Sequence, residues 1–299
     1  MWIVLVLIYG ILKGVRDIAK KKALTKNGVT EVLFVYTLLA FALVLPEIPR
    51  AGGVPLNIML MVAFKSFIIF IAFLCSFHAI EKMPVSLYGV LDLSRMIFAM
   101  VLGVTVLKES LGIFQIFGMV LVMAGLMLLR FKPDRIGVNT GDRPKTQDST
   151  RKALFSAGSI TVILAFVSTF LNAVSGMLDK IIMSTGKIGD GQLQFWYMLF
   201  MVVYYGLYVI FTKTKITAGV WKNPYVWLIA ILFIIADRCL FIANGDPASK
   251  VTVMTLLKQV CCVVTIIGGR IVFKEKNTGY KLFCAAVVIS GIVLAAVRH

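Results

Sequence analysis

VLKESLGIFQIFGMVLVMAGLMLL, residues Val106 to Leu129, is echoed by VFKEKNTGYKLFCAAVVISGIVLA, residues Val272 to Ala295, at a constant offset of 166. Val106/Val272, Lys108/Lys274, Glu109/Glu275, Phe117/Phe283, Gly125/Gly291 and Leu128/Leu294 are identical, and Gly103/Gly269 match just upstream. Self-similarity of this length at one offset is the mark of an internal repeat. A weaker match at offset 159 pairs Leu12, Val15 and Lys21 with Leu171, Val174 and Lys180, which makes the sixth apolar segment the counterpart of the first.

Around these two stretches the chain is apolar throughout. Of 299 residues, 60% are hydrophobic and 15% charged, and the mean hydropathy is +0.93. Soluble domains carry nearer one half apolar residues and a quarter charged, so the solvent of this chain is lipid. Segments long enough to span fall near 2–20, 31–47, 56–79, 84–107, 111–130, 153–179, 192–212, 223–244, 249–273 and 279–297, each close to the twenty residues a bilayer core requires. The stretch 131–152, which carries KPDRIGVNTGDRPKTQDSTRK, cannot bury apolar surface and is full of turn formers. It is a linker at the midpoint. The expected organisation is therefore a first five-helix repeat over 1–130, the linker over 131–152, and a second repeat over 153–299. Five is odd, so a second copy joined by one linker enters the membrane upside down. The fold class is all-α integral membrane, with ten transmembrane helices as two inverted five-helix repeats, an architecture typical of transporters.

The net charge of +17 does not signal nucleic acid, because the bases sit mostly in short loops between apolar runs. With bases at span ends counted to the adjoining loops, the loops after spans 1, 3, 5, 7 and 9 hold 19 of the 31 Lys and Arg, those after the even spans hold 6, and 6 lie within spans. The positive-inside rule places the richer set in the cytoplasm and both termini outside. Cys75, Cys239, Cys261, Cys262 and Cys284 all lie in apolar runs at no regular spacing, which supplies neither a disulfide framework nor a zinc site. The run Trp2 to Leu12 has no basic leader and no small-residue cleavage pattern, and reads as a retained first helix.

A charge at the centre of a spanning helix costs about 2.5–3.5 kcal/mol on insertion scales, so those that persist face a bundle interior or a wet cavity. Here they are Lys13, Arg16 and Asp17 in span 1, Lys65 in span 3, Asp92 and Arg95 in span 4, Asp237 and Arg238 in span 8, and Lys258 in span 9. Helical spacing gathers them into stripes. Tyr88, Asp92, Arg95 and Ala99 share one face of span 4; Thr255, Lys258, Cys262 and Thr265 share one face of span 9. Tyr9, Lys13, Arg16 and Lys20 line span 1, while Ser168, Asn172, Ser175 and Asp179 line its counterpart. At the offset of 166, Asp92 corresponds to Lys258, which sets opposite charges at related positions. The substrate-binding candidates are Lys13, Arg16, Lys65, Tyr88, Asp92, Arg95, Asn172, Thr255 and Lys258, with Asp92 and Asp237 able to relay a proton. A blander reading stands beside this one: Lys13 and Arg16 snorkel to the interface, Asp92 and Arg95 neutralise each other at i, i+3, and Lys65 reaches out near its helix end. GILKG, Gly10 to Gly14, reads as a close-packing GxxxG, and Trp221, Tyr225 and Trp227 as an interfacial belt.

MPVS (Met83 to Ser86) followed by Lys108–Glu109, Gly118 and Gly125, echoed by DPAS (Asp246 to Ser249), Lys274–Glu275 and Gly291, resembles the drug/metabolite transporter superfamily, in particular its EamA-like members. The resemblance covers essentially the whole chain. Cys284 departs from it where a glycine would match Gly118, and Pro84 to Glu109 spans 25 residues against 28 from Pro247 to Glu275. It implies a central substrate cavity lined by spans 1, 3, 4, 6, 8 and 9. Members of the superfamily carry amino acids, nucleotide sugars, sugar phosphates, choline or cationic drugs, and many are thought to keep both termini cytoplasmic, against the charge count above.

The expected function is a secondary transporter or exchanger in the plasma membrane, moving a small polar metabolite by alternating access. The basic excess favours an anionic or zwitterionic substrate such as an amino acid, organic acid or phosphorylated compound. A cationic drug exporter is the alternative within the class, but it would want a Glu at a span centre, and the sequence has none. A membrane-embedded enzyme or lipid-handling protein is the alternative outside it. Only His78 and His299 occur, and HExxH, GxSxG and Walker A patterns are absent, so no enzyme and no cofactor or metal is expected. Expected partners are a small-molecule substrate, the lipid bilayer, and a proton or counter-substrate, with a homodimer left open and no nucleic acid.

Overall fold

The computed structural model describes residues 1–24, 27–82, 94–110, 112–130 and 159–261, with residues 264, 268, 271, 272, 283, 286–291, 293 and 294 beyond these. The linker expected over 131–152 lies outside them. Every regular element among the described residues is helical: α1 (Trp2–Leu24), α2 (Val29–Val44), α3 (Leu56–Lys82), α4 (Ser94–Thr105), α5 (Ile113–Arg130), α6 (Ser159–Ser184), α7 (Asp190–Thr212), α8 (Pro224–Gly245) and α9 (Val251–Leu257). A 3-10 helix, Leu45–Arg50, extends α2, and a single turn, Ala218–Trp221, precedes α8. Among the described residues, five segments are long and apolar enough to cross a membrane: Val29–Arg50, Leu56–Ser76, Ile160–Ser184, Asp190–Thr212 and Pro224–Gly245. Three helices outrun the apolar segments that announce them: α1 continues to Leu24, α3 to Lys82 and α6 to Ser184.

Hydrogen bonds at the helix ends fix the directions. Asn223, the residue that caps α8, donates to Asn27 just beyond α1 at 2.9 Å, while Trp2 at the start of α1 shares a core cluster with Ala243 at the end of α8. α1 and α8 are therefore antiparallel. Near the end of α6, Lys180 donates to the carbonyls of Asn244 (3.1 Å) and Asp246 (2.7 Å) and to the Ser249 hydroxyl (2.6 Å). It thereby satisfies the orphan carbonyls at the end of α8. α6 thus ends where α8 ends and runs opposite to α1. Thr217, after α7, bonds Glu31 at the start of α2, and Gln192 in the first turn of α7 bonds the carbonyls of Arg50 and Gly52 beyond the end of α2. α2 and α7 are antiparallel too. Further along, α3 leaves the Gly52 end of the bundle and α8 leaves the Asn223 end, so each of α1, α2 and α3 opposes its counterpart five helices on. The packing has the same symmetry: α1 lies chiefly against α8, and α3 chiefly against α6, the pair obtained by exchanging the halves.

The KE pair that marks the repeat has a structural task. α4 ends at Thr105, and Lys108 adopts a positive φ of 55°, which turns Glu109 back onto the other half. The Glu109 carboxylate accepts the Val251 amide, the Thr252 amide at 3.2 Å and the Thr252 hydroxyl at 2.8 Å. A negative charge there both satisfies free N–H groups and opposes the positive end of α9. Gly103 permits this approach, since a Cβ there would stand 2.5 Å from Thr252 Oγ1.

Gly10 and Gly14 pack as the GILKG spacing predicts. A Cβ on Gly14 would lie 2.7 Å from Val264 Cβ and 2.9 Å from the Cys261 carbonyl oxygen, and one on Gly10 would lie 3.2 Å from the Lys258 carbonyl oxygen. Outside, Val4, Ile8, Ile11 and Val15 form an exposed apolar stripe on α1 at helical spacing, as a lipid-facing surface requires. A Gly14→Ala variant is expected to lose about 1–3 kcal/mol to overpacking, read as a lower melting temperature in detergent. Gly176→Ala, whose new Cβ would meet nothing within 4 Å, is expected to leave it unchanged or raised.

Candidate functional site

The intramembrane charges converge where α1, α3, α6, α8 and α9 meet. Arg16 is 5% exposed and its Cζ stands 4.8 Å from the centroid of the Phe233 ring, a cation–π contact whose ring is braced edge-on by Tyr36 at 5.7 Å. Among the described residues Arg16 Nε and Nη1 have no hydrogen-bond partner. Asp237 on α8, 7% exposed, interacts electrostatically with Arg16, Lys65, Asp179 and Lys258, which puts these five groups in one cluster. Lys13 completes it from α1, next to Cys261 and Tyr9.

Lys65 does not reach out near its helix end. It is 2% exposed, and its Nζ lies 2.7 Å from Asp179 Oδ1. The ammonium also lies 3.7 Å from the Tyr197 ring centroid and 4.7 Å from that of Phe241. Two charges removed from water are tolerated only when the pair is close and well surrounded, and two aromatic faces beside one carboxylate meet that need. Asp179 is the last residue of the span 6 stripe. Ser168 and Ser175 of the same stripe are buried with it, so the helical spacing of polar residues was the signal for this face; nothing in the sequence tied Asp179 to Lys65.

Adjacent residues on α8 divide the labour. Successive side chains on a helix point about 100° apart, and while Asp237 turns into the cluster, Arg238 turns to the rim. There it donates to Glu47 (2.7 Å), Asp190 (2.8 Å) and Gln194 (2.6 Å), joining the end of α2, the start of α7 and α8. Arg238 is thus a clasp at the surface rather than part of the central cluster.

α9 contains the main surprise. The apolar run over 249–273 predicts one continuous helix, but α9 spans only Val251–Leu257 and gives way to a turn at Lys258 and Gln259. The Lys258 amide still bonds Met254 four residues back at 3.0 Å. The Gln259 and Cys261 amides instead reach three residues back, to Leu256 at 3.0 Å and Lys258 at 3.1 Å. The tightened backbone lies against Gly10, where α1 has no side chain to hold it off. Lys258 therefore sits at a helix break, with its Nζ 5.4 Å from the Tyr9 ring centroid. Interrupted helices at mid-membrane depth are a recurrent means of building ion and substrate sites in transporters.

The other candidates separate. Arg95, in the first turn of α4, joins the field of the cluster through Lys13, Lys258 and Asp17. Next to it, the Ser94 hydroxyl lies 3.0 Å from that of Thr169, tying α4 to α6. Thr255 is buried and returns its hydroxyl to the Val251 carbonyl at 2.9 Å, and the Asn172 amide returns to the Ser168 carbonyl at 2.8 Å. These two are occupied within their own helices. Tyr88 and Asp92 lie outside the described residues, and so do Cys262 and Thr265 of the span 9 stripe. Asp17 lies 3.6 Å from Lys20. Among the described residues, no group of three or more His, Cys, Asp or Glu is placed to hold a metal.

Comparison with known proteins fits this geometry. The model of the EamA-like transporter family matches residues 1–131, while no curated protein matches the sequence. One solved crystal structure superposes on 99% of this chain and 96% of its own with a TM-score of 0.76 at 12% identity, a likeness of fold.

Removing one member of the buried pair leaves the other uncompensated, at a cost of about 3–5 kcal/mol. Asp179→Asn and Lys65→Met are each expected to lower the melting temperature sharply, whereas the double variant Lys65→Met/Asp179→Leu recovers most of the loss. Additive losses in a thermal double-mutant cycle would contradict the pairing.

Proposed function

Residues 1–131 match the EamA-like transporter family, and from that premise we propose that the chain moves an anionic or zwitterionic metabolite by alternating access. That it is a membrane transporter of small molecules follows from the family. The charge of the cargo is our reading of the central cluster.

The observation that carries it is a surplus of positive charge at the centre of the bundle, with Arg16 buried and Lys13 and Lys258 half-buried. Asp17 is matched by Lys20 and Asp179 by Lys65; the i, i+3 spacing assigns Asp92 to Arg95. Arg16 and Lys258 then share Asp237, and Lys13 shares Asp17 with Lys20. Uncompensated charge in a low-dielectric interior is costly, and an incoming carboxylate, phosphate or sulfate relieves that cost. The Arg16 guanidinium, over the Phe233 ring with two nitrogens unengaged by described residues, is shaped for oxyanion recognition. Asp237 suits the amino group of a zwitterion or the carriage of a coupling proton. The antiparallel pairing of counterpart helices supplies the means of rocking, with 1–130 and 153–299 as the moving units and the plasma membrane as the expected site of action.

Alternating access also requires contacts that open on one side at a time. The clasp of Arg238 on Glu47 and Asp190 closes one end of the bundle, and its loss is expected to shift the protein towards the state open at that end.

In proteoliposomes, Lys258→Ala and Arg16→Ala are each expected to reduce uptake at least about tenfold while the melting temperature of the purified protein holds. Unchanged uptake would reject the assignment. In a metabolite screen, anionic compounds are expected to raise the wild-type melting temperature more than cations do, and less so in the two variants. A larger response to cations would overturn the charge reading while leaving the transporter assignment standing.

A further inference from the structure

At the membrane end where α1 finishes and α8 begins, a cavity of about 520 Å3 is lined by Lys22, Asn27, Gly219, Lys222, Asn223 and Tyr225, with Pro224. It is separate from the central cluster, and the transport reading gives it no task. Two of its walls belong to opposite halves of the chain. Lys22 and Asn27 come from the end of α1 and the connection to α2, and Gly219 through Tyr225 come from the turn before α8 and its first residues. Asn223 and Asn27 bond each other across its floor at 2.9 Å, so the two walls are held in register.

Three features identify what the cavity suits. Both charged side chains among its lining residues are lysines, Lys222 exposed and Lys22 half-buried. The rim is aromatic: Trp221, Tyr225 and Trp227 are 39%, 39% and 46% exposed, and the Trp227 indole N–H bonds the Trp221 carbonyl at 2.9 Å. Tryptophan and tyrosine gather at the headgroup level of a bilayer, so the cavity opens at that level. Below the rim, Leu228, Ile231, Ile235 and Ile242 are exposed along one face of α8, giving an apolar track from the cavity into the hydrocarbon.

We propose that this cavity is a binding site for an anionic phospholipid, with the phosphate held by Lys22 and Lys222, the amides of Asn27 and Asn223 beside it, and an acyl chain along the α8 track. The site lies on the loop face richest in Lys and Arg, and basic pockets between helices on such a face take anionic headgroups. A lipid bound there ties the end of α1 to the start of α8. These helices carry Arg16 and Asp237 into the central cluster, so occupancy holds that end of the α1–α8 pair closed and couples transport to lipid composition.

The test titrates the purified full chain in detergent with phosphatidylglycerol, phosphatidylcholine or sodium phosphate, reading lipid retention by native mass spectrometry and melting temperature in parallel. Phosphatidylglycerol is expected to bind about tenfold tighter than phosphatidylcholine and to raise the melting temperature more. The Lys22→Gln/Lys222→Gln variant is expected to lose that preference, and Lys213→Gln/Lys215→Gln, two lysines of the same face outside the cavity, to keep it. Equal binding of the two lipids would overturn the proposal. So would loss of preference in the control variant, which would mean diffuse surface charge, or full stabilisation by phosphate alone, which would mean a free anion as the ligand. Should the Lys22→Gln/Lys222→Gln protein fail to fold, each single variant is expected to lose part of the preference, and retention of the full preference in both would overturn the site.

Discussion

Charge held away from water is the constraint on which this structure turns. A Lys, Arg or Asp at mid-membrane depth must meet an opposite charge, an aromatic face or a polar cavity, because lipid offers none of these. Lys65 meets Asp179 at 2.7 Å between Tyr197 and Phe241. Arg16 meets Phe233 and the field of Asp237. The contacts draw on α1, α3, α6, α7 and α8 together, so the helices that carry charges are also the ones that pack at the centre. Their outward faces are left to residues such as Val4, Ile8, Ile231 and Ile235.

Repetition then does two kinds of work. It gives the bundle its antiparallel symmetry, in which α1 on α8 mirrors α6 on α3, and it lets one half close the ends of the other. Glu109 caps the start of α9 across the repeat boundary, while Lys180 caps the end of α8 within the second half. Side chains that serve as fingerprints in the sequence are therefore joints in the structure. The cation excess does not repeat in the same way. Lys13 and Arg16 on α1 correspond to no bases on α6, whose stripe carries Ser168, Asn172, Ser175 and Asp179 instead. Counterpart helices of one shape thus contribute unlike chemistry.

Much of this was legible in the sequence because lipid imposes it. The length of apolar runs fixes the helices, an odd repeat fixes their inversion, and GILKG at Gly10 to Gly14 marks the close packing that the backbone shows. What could not be read are pairings between distant residues. Helical spacing puts Asp179 on a polar face without naming Lys65 as its mate, and Arg238 looks like a second central charge beside Asp237 until the rotation of α8 sends it to Glu47 and Asp190. The break at Lys258 was equally hidden. No Pro or Gly announces it, and the turn lies against α1 where Gly10 lets the backbones approach, so tertiary contact rather than local preference is its visible setting. The partners of Thr255 and Asn172 were hidden for a related reason. Each has the right spacing for a site, yet spends its hydrogen bond on its own helix.

The most direct measurement of the positively biased interior places a single reporter thiol, Tyr9→Cys beside Lys258, in a chain whose five native cysteines are replaced, and compares its reaction with anionic and cationic methanethiosulfonates of similar size. A thiolate on neutral ground prefers the cationic reagent. An interior dominated by Lys13, Arg16 and Lys258, as proposed, predicts the anionic reagent to react faster, with the preference fading in Arg16→Ala. Faster reaction with the cationic reagent would contradict the account.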